Sequence, residues 1–526
     1  MDESHLLALS PELLEEIIRI INIGGKSERD SAARVSALAA LSSTSKTLHH
    51  AVRPYLYSRF NARTHGLKVQ LLVRTLYERP DLIRHLEHLA IAPAPSDEDL
   101  SPISESILAD FRHDDYYHEI WRTIKYGSRA TYMGVLLALA TNIESLYVDL
   151  EEIDTYDKGE LWPIELKDVL TFFLSQERLS RLSKSAYRRL TYATICGRTA
   201  VDETYDRGFS ADILLHFMAL PHLRTLEASS MSSDEDDSRY VDQPFSSVSS
   251  ILLRAPCNIN IEQAVAFIRA CKKLERFELE FQLLYSGNSD DQDEAEDFIE
   301  DHDEAEQYYF SLAELQRALH VHSQHLTRFQ LICKDKYEVV RRLWQAQQPL
   351  DLRHFTALRH LEVDSRVLPS MIGPNESDAN ESLPPDLTSL TLHSLERLEE
   401  LPKYLHSLIT YEAQKFKELK ITFRLKANDH NSVWAVLLER DEANDHNSAW
   451  TVYLNREDMT CGDRQWYLGK EGNEQEGDYR ICFWAWSNDH LGQKPMSNVL
   501  SEIECLGRIQ GVGALFEMQC PQEEEK

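Results

Sequence analysis

The residues best equipped for chemistry in this chain are acidic. DDQDEAEDFIED, residues 290–301, alternates carboxylates as a calcium loop does, but the sixth position of such a loop must turn on glycine and here holds Ala295. The stretch reads as a solvated acidic insertion. His430 and His446 hold equivalent places in a tandem copy, ANDHNSVWAVLLERDE at 427–442 and ANDHNSAWTVYLNRED at 443–458. Facing each other across a hairpin, they could offer two imidazoles to a metal. No cysteine or third ligand stands at suitable spacing, so they read as duplicated surface. Gly24-Gly25-Lys26-Ser27 resembles the end of a phosphate loop, yet Ile20 sits where the first glycine belongs. Ser232 and Ser233 precede DEDD and could take phosphate from an acid-directed kinase; the simpler reading is an unmodified loop. No nucleophile elbow, H-E-x-x-H or dinucleotide glycine pattern occurs. The expectation is a non-catalytic chain with no metal and no cofactor.

Bulk properties narrow the partners. The 526 residues include 56 Lys and Arg against 87 Asp and Glu, a net charge of -31. Neither a phosphate backbone nor an anionic membrane attracts such a chain, so no nucleic acid and no membrane are expected. The opening MDESHLLALS lacks the basic flank of a secretory leader, and no apolar run is long enough to span a bilayer. Eight scattered cysteines without a C-x-x-C pair suit a reducing compartment, which implies a cytoplasmic or nuclear protein.

The elements that would position any site follow from periodicity. An L-x-x-L-x-L spacing recurs at Leu86/Leu89/Ile91, Ile143/Leu146/Val148, Leu223/Leu226/Ala228, Leu274/Phe277/Leu279, Leu326/Phe329/Leu331, Leu358/Leu361/Val363, Leu387/Leu390/Leu392 and Phe416/Leu419/Ile421. Weaker copies lie near Tyr187/Leu190 and Val248/Ile251. The last two apolar positions alternate as a strand does, and many copies follow helical stretches such as IEQAVAFIRACKKL. One strand and one helix per unit is the leucine-rich-repeat signature. The interval from Leu274 to Leu326 is about one repeat too long, and SGNSDDQDEAEDFIEDHDEAEQ at 286–307 accounts for the excess as a loop.

Three domains are therefore expected: a helical unit at 1–60, an irregular α/β solenoid of parallel strands and helices at 61–425, and a small β-rich cap at 426–526 that carries the duplication and a disordered acidic tail. Polar or acidic insertions are expected at about 92–118, 229–244, 285–307 and 370–386.

The first unit is the most informative. In LALSPELLEEIIRII, residues 7–21, Ser10 can cap a helix, Pro11 suits its first position and Glu12 its positive dipole end. Val35, Leu38 and Leu41 lie on one further helical face; Leu48, Val52 and Leu56 lie on another. So small a core normally needs a partner. Leu14, Ile18 and Val52 read as its own interior.

LALSPELLEEII followed by LAALSSTSKTLHHAVRPYLYSRF resembles the F-box, the adaptor-binding module of SCF-type ubiquitin ligases, with the family's Leu-Pro opening written here as Leu9-Ser10-Pro11. LLVRTLYERPDLIRHLEHLAI, FIRACKKLERFEL and LRHFTALRHLEV resemble the repeat region of filamentous-fungal F-box proteins. The likeness spans roughly residues 6–423. It implies that a Skp-family adaptor, and through it a cullin, docks on Leu9, Pro11, Glu12, Leu13, Ile17, Leu38, Leu41, Ser45, Lys46 and Leu48. It further implies that the repeats hold a protein target for ubiquitin transfer, by residues the sequence does not specify. The acidity makes a basic target one expectation. The alternative is a repeat scaffold for protein interactions with no ligase role.

Overall fold

The computed structural model describes residues 9–23, 28–61, 68–91, 129–150, 187–197, 209–232, 243–281, 311–333, 350–364, 367, 383–395, 418–427, 430–440, 450–456, 466–471, 479–485 and 514–519. The chain divides into two compact units: residues 1–273 with 283–302, and residues 274–282 with 303–526.

The first unit opens with three helices, α1 (Pro11–Ile23), α2 (Glu28–Thr44) and α3 (Lys46–Leu56). The Ser10 hydroxyl accepts the Leu13 N–H at 3.4 Å, and Pro11, lacking an N–H, gives up nothing at the first helical position. Ser45 caps α3, accepting the Leu48 N–H at 3.1 Å. Helix α2 starts well before Val35 because ERDSAAR, though polar and silent in hydrophobic periodicity, contains good helix formers. Leu14, Ile18, Leu38, Leu48 and Val52 form the bundle core, with Ile21, Leu41, Ala51, Tyr55 and Leu56 packed against it.

The helices run directly into a parallel sheet. Strands β1 (Arg59–Asn61), β2 (His88–Ile91), β3 (Ser145–Leu150) and β4 (Tyr192–Gly197) lie side by side, followed by β6 (Thr225–Ser232) and β7 (Ser250–Asn258), while the short β5 (Phe209–Ser210) pairs the far end of β6. Phe60, Leu89, Leu146, Ala193, Leu226 and Ile251 stand in one register row. Among the described residues, α4 (Lys68–Glu78) lies between β1 and β2 in sequence, α5 (Arg129–Leu139) between β2 and β3, α6 (Ile213–Met218) between β5 and β6, and α7 (Ile261–Ala270) after β7; α4 ends at the break before Pro80. The apolar triads of this unit are buried throughout, which is the physical content of the repeat.

A carbonyl at each strand entry stitches neighbouring repeats. Ser58 accepts the N–H groups of Glu87 and His88, Glu87 those of Glu144 and Ser145, Glu144 those of Thr191 and Tyr192, Thr191 those of Arg224 and Thr225, and Arg224 those of Ser249 and Ser250. The row begins at Ser58, so residues 58–60, expected to close the helical domain, already belong to the sheet.

The second unit repeats the pattern. Strands β8 (Arg276–Phe281), β9 (Arg328–Cys333), β10 (His360–Asp364), β11 (Ser389–Leu395) and β12 (Glu418–Ala427) are parallel, and α8 (Leu312–His320) stands between β8 and β9 in sequence. Because β8 pairs β9 directly, the long interval between Leu274 and Leu326 adds no strand between them. After β12 the pairing turns antiparallel through β13 (His430–Arg440) and β14 (Trp450–Arg456), and β15 (Trp466–Glu471), β16 (Tyr479–Ala485) and β17 (Ala514–Gln519) form a separate three-stranded sheet.

Three expectations change. The weak repeat before β4 is anchored by Leu190, with Ala193 and Ile195 following, whereas Tyr187 lies in the turn ahead, its hydroxyl donating to the Leu137 carbonyl at 2.7 Å. Residues 229–232 complete β6 rather than opening a loop. Leu383 and Pro384, expected within an exposed insertion, are buried before β11. In the duplication, equivalent residues do not oppose each other: Trp434 pairs with Arg456 and Trp450 with Arg440, and His430 opposes Ala427. His446, the insertions at 92–118 and 285–307, and the acidic tail lie outside the described residues.

Candidate functional site

Two surfaces of the first unit hold the candidates. On α1, Leu13, Ile17 and Ile20 share a stripe at i, i+4 and i+7. Leu13 is 56% and Ile20 60% exposed, and Ile17 is half-buried. Helix α1 is held from behind by its core residues and by the Tyr55 hydroxyl, which donates to Glu15 Oε1 at 3.2 Å. Glu12 at the helix start has its pKa lowered by its own backbone N–H and by the Ser10 hydroxyl.

Of the predicted adaptor contacts, Pro11, Glu12, Leu13 and Lys46 are exposed, and Leu9, Ile17, Leu41 and Ser45 are half-buried. Ser45 spends its hydroxyl on the α3 cap. Leu38 and Leu48 are corrected: at 0% and 3% exposure they fill the bundle interior and offer no surface. Sequence reasoning missed Ile20, although its spacing from Leu13 and Ile17 carried the signal.

The second surface is a groove of about 530 Å³ on the outward face of β1–β6, roofed at one end by Arg34 of α2. In an L-x-x-L-x-L strand the apolar residues face the helices and the residues between them face out. Those outward positions supply Arg59, Asn61, His88, Ala90, Ser145, Tyr147, Tyr192, Thr194 and Glu227 in adjacent rows. One end is cationic. Arg34 is 7% exposed and donates to Asn22 Oδ1, and burial first, then the nearby Arg59 charge, lowers its pKa. His88 lies beside them, its pKa lowered by burial and then by Arg59, and its Nδ1 sits 2.7 Å from Ser145 Oγ. Among the described residues no carboxylate holds the other His88 nitrogen, so this pair lacks the third member of a nucleophilic triad. At the opposite end the Tyr192 hydroxyl donates to Glu227, which also lies 3.9 Å from Arg254; burial and Glu227 raise the tyrosine pKa.

In the second unit the outward positions are mutually paired. Glu278, fully buried, accepts from Arg276 and Arg328 at 2.6 Å each, Gln330 donates to Glu280 at 2.7 Å, and His393 lies 2.9 Å from Glu362. Among the described residues no cluster of His, Cys, Asp and Glu is placed to hold a metal, and no helix is long and apolar enough to cross a membrane. Cys257 and Cys271 are free thiols; burial raises the pKa of both, that of Cys271 to about 12.

Scanned against protein-family models the chain matches none, and it matches no curated protein sequence. Geometry and residue chemistry alone therefore support a functional reading. They define an α/β protein built on a large, mostly parallel sheet, with a three-helix bundle at its start.

Proposed function

We propose that this chain is the substrate-recognition subunit of an SCF-type ubiquitin ligase, its N-terminal helices docking a Skp-family adaptor and its repeats holding a protein target. The observation that carries the reading is the α1 stripe: a helix whose inner face is already satisfied keeps Leu13 and Ile20 in solvent. Burying a leucine or isoleucine fully is worth about 1.5–3 kcal/mol, so a partner covering this stripe gains several kcal/mol before association costs. The order of elements supports the same reading, since a helical module comes first and a repeat sheet follows without a break.

A pull-down with a Skp-family adaptor tests it. Wild type should recover adaptor, and Leu13→Asp/Ile20→Asp should lose about tenfold or more of that recovery while keeping its circular dichroism. Equal recovery by the two proteins removes the adaptor assignment and leaves an interaction scaffold as the better reading.

A further inference from the structure

The net charge of -31 suggests a basic partner, yet the groove on the first unit presents the opposite sign. Arg34 and Arg59 meet at its N-terminal end, and neither forms an ion pair with a carboxylate among the described residues. For Arg34 that is costly: a guanidinium taken out of water needs a counter-charge, and the charge that acts on it is that of the exposed Arg59. In the first unit Arg254 lies near Glu227, and in the second, taken by itself, Arg276 and Arg328 share Glu278. The unmatched pair opens onto a groove lined by Tyr147 and Tyr192, with His88 of β2 and Ser145 of β3 beside them in one register row.

We propose that this groove binds an oxyanion carried by a polypeptide, a carboxylate or a phosphoryl group seated between Arg34 and Arg59, with the flanking residues lying along the two tyrosines. Arginine is suited to this because its planar fork donates two parallel hydrogen bonds to such a group. Asn22 takes one of the Arg34 N–H donors and fixes the guanidinium plane, leaving the others for a ligand. Arg59 stands on the strand edge and completes the pair. Glu227 at the far end repels a second anion there, so the ligand has a direction. Calling that polypeptide the ligase target rests on the receptor reading; the binding chemistry does not.

The test uses the full chain and three C-terminally amidated hexaglycines, labelled with the uncharged dye BODIPY and carrying at one position a glutamate, a glutamine or a phosphoserine. Fluorescence anisotropy should show binding of an anionic peptide and none of the glutamine peptide. The tighter of the two anionic peptides identifies the oxyanion. Arg59→Glu, a surface change that leaves the bundle core untouched, should weaken that binding about tenfold or more, and Arg34→Gln should do the same. Arg254→Glu, which alters charge equally but outside the cationic end, should change it less than about threefold. Failure of both anionic peptides to bind, or equal binding by wild type and Arg59→Glu, overturns the proposal. Leu13→Asp/Ile20→Asp should keep the peptide while losing adaptor. Peptide binding without adaptor recovery therefore defeats only the receptor reading, and adaptor recovery without peptide binding defeats only the groove.

Discussion

At the residue scale the same amino acid has opposite jobs according to which side of a helix it occupies. Leu13 and Leu38 both belong to the predicted adaptor set, but Leu13 is mostly in water and Leu38 is sealed among Leu14, Ile18, Leu48 and Val52. Truncating Leu38 removes buried methyl groups and leaves a cavity, so Leu38→Ala should cost about 2–5 kcal/mol. Leu13→Ala should fall within about 0.5 kcal/mol of wild type, as exposed substitutions do. Chemical denaturation of both variants checks this, and comparable losses would mean that α1 is rotated from the orientation described. The groove divides its residues in the same way: Tyr192 donates to Glu227, whereas Arg34 and Arg59 pair with no carboxylate among the described residues.

At the element scale the repeat is a strand with a stitched entry, and the close approaches are specific. Strand β4 ends at Gly197, where an added Cβ would stand 2.5 Å from the Ser230 carbonyl oxygen and 3.2 Å from the Phe209 ring. That carbonyl cannot retreat easily, because Ser230 holds a left-handed φ of 57° where the β6–β7 register shifts. Gly197→Ala should therefore lower the melting temperature, at a cost of about 1–3 kcal/mol; an unchanged melting curve would show that β4 and β6 are not so close. Most of this architecture is legible in the sequence, because L-x-x-L-x-L states which positions are buried and its intervening residues state which face out. Tyr187 misleads because a buried tyrosine in a turn carries the same apolar signal as a repeat anchor. Arg34 is hidden for a different reason: it reaches the groove from α2, and no periodicity along the strands can report a residue brought in from another element. The duplication at 427–458 is plain, but antiparallel pairing of β13 with β14 sets equivalent residues at opposite ends of the ladder, which a period alone does not foretell.

At the scale of the whole first unit, the helical bundle and the sheet have no linker between them. The chain leaves α3 at Leu56 and by Arg59 is already hydrogen-bonded alongside β2, with Ser58 accepting from Glu87 and His88 at 2.9 Å. Arg53 of α3 also pairs with Asp81 in the turn ahead of β2. With the arginine side chain only 16% exposed, the pair ties α3 to that turn. Under the receptor reading, the α1 stripe and the groove are held in one body, so a seated target keeps a set distance and direction from the adaptor. The sequence-based boundary at residue 60 would cut through β1, and that has a measurable consequence. A chain beginning at residue 62 lacks β1 and exposes the edge of β2, His88–Ile91, whose unpaired backbone groups invite association with another chain. A chain beginning at residue 57 keeps the strand and loses only the helices. On size-exclusion chromatography the shorter protein should elute as aggregate and the longer one should remain disperse, with a melting temperature higher by several degrees. Identical behaviour of the two would mean that β1 shields nothing and that the bundle hangs on the sheet as an independent domain.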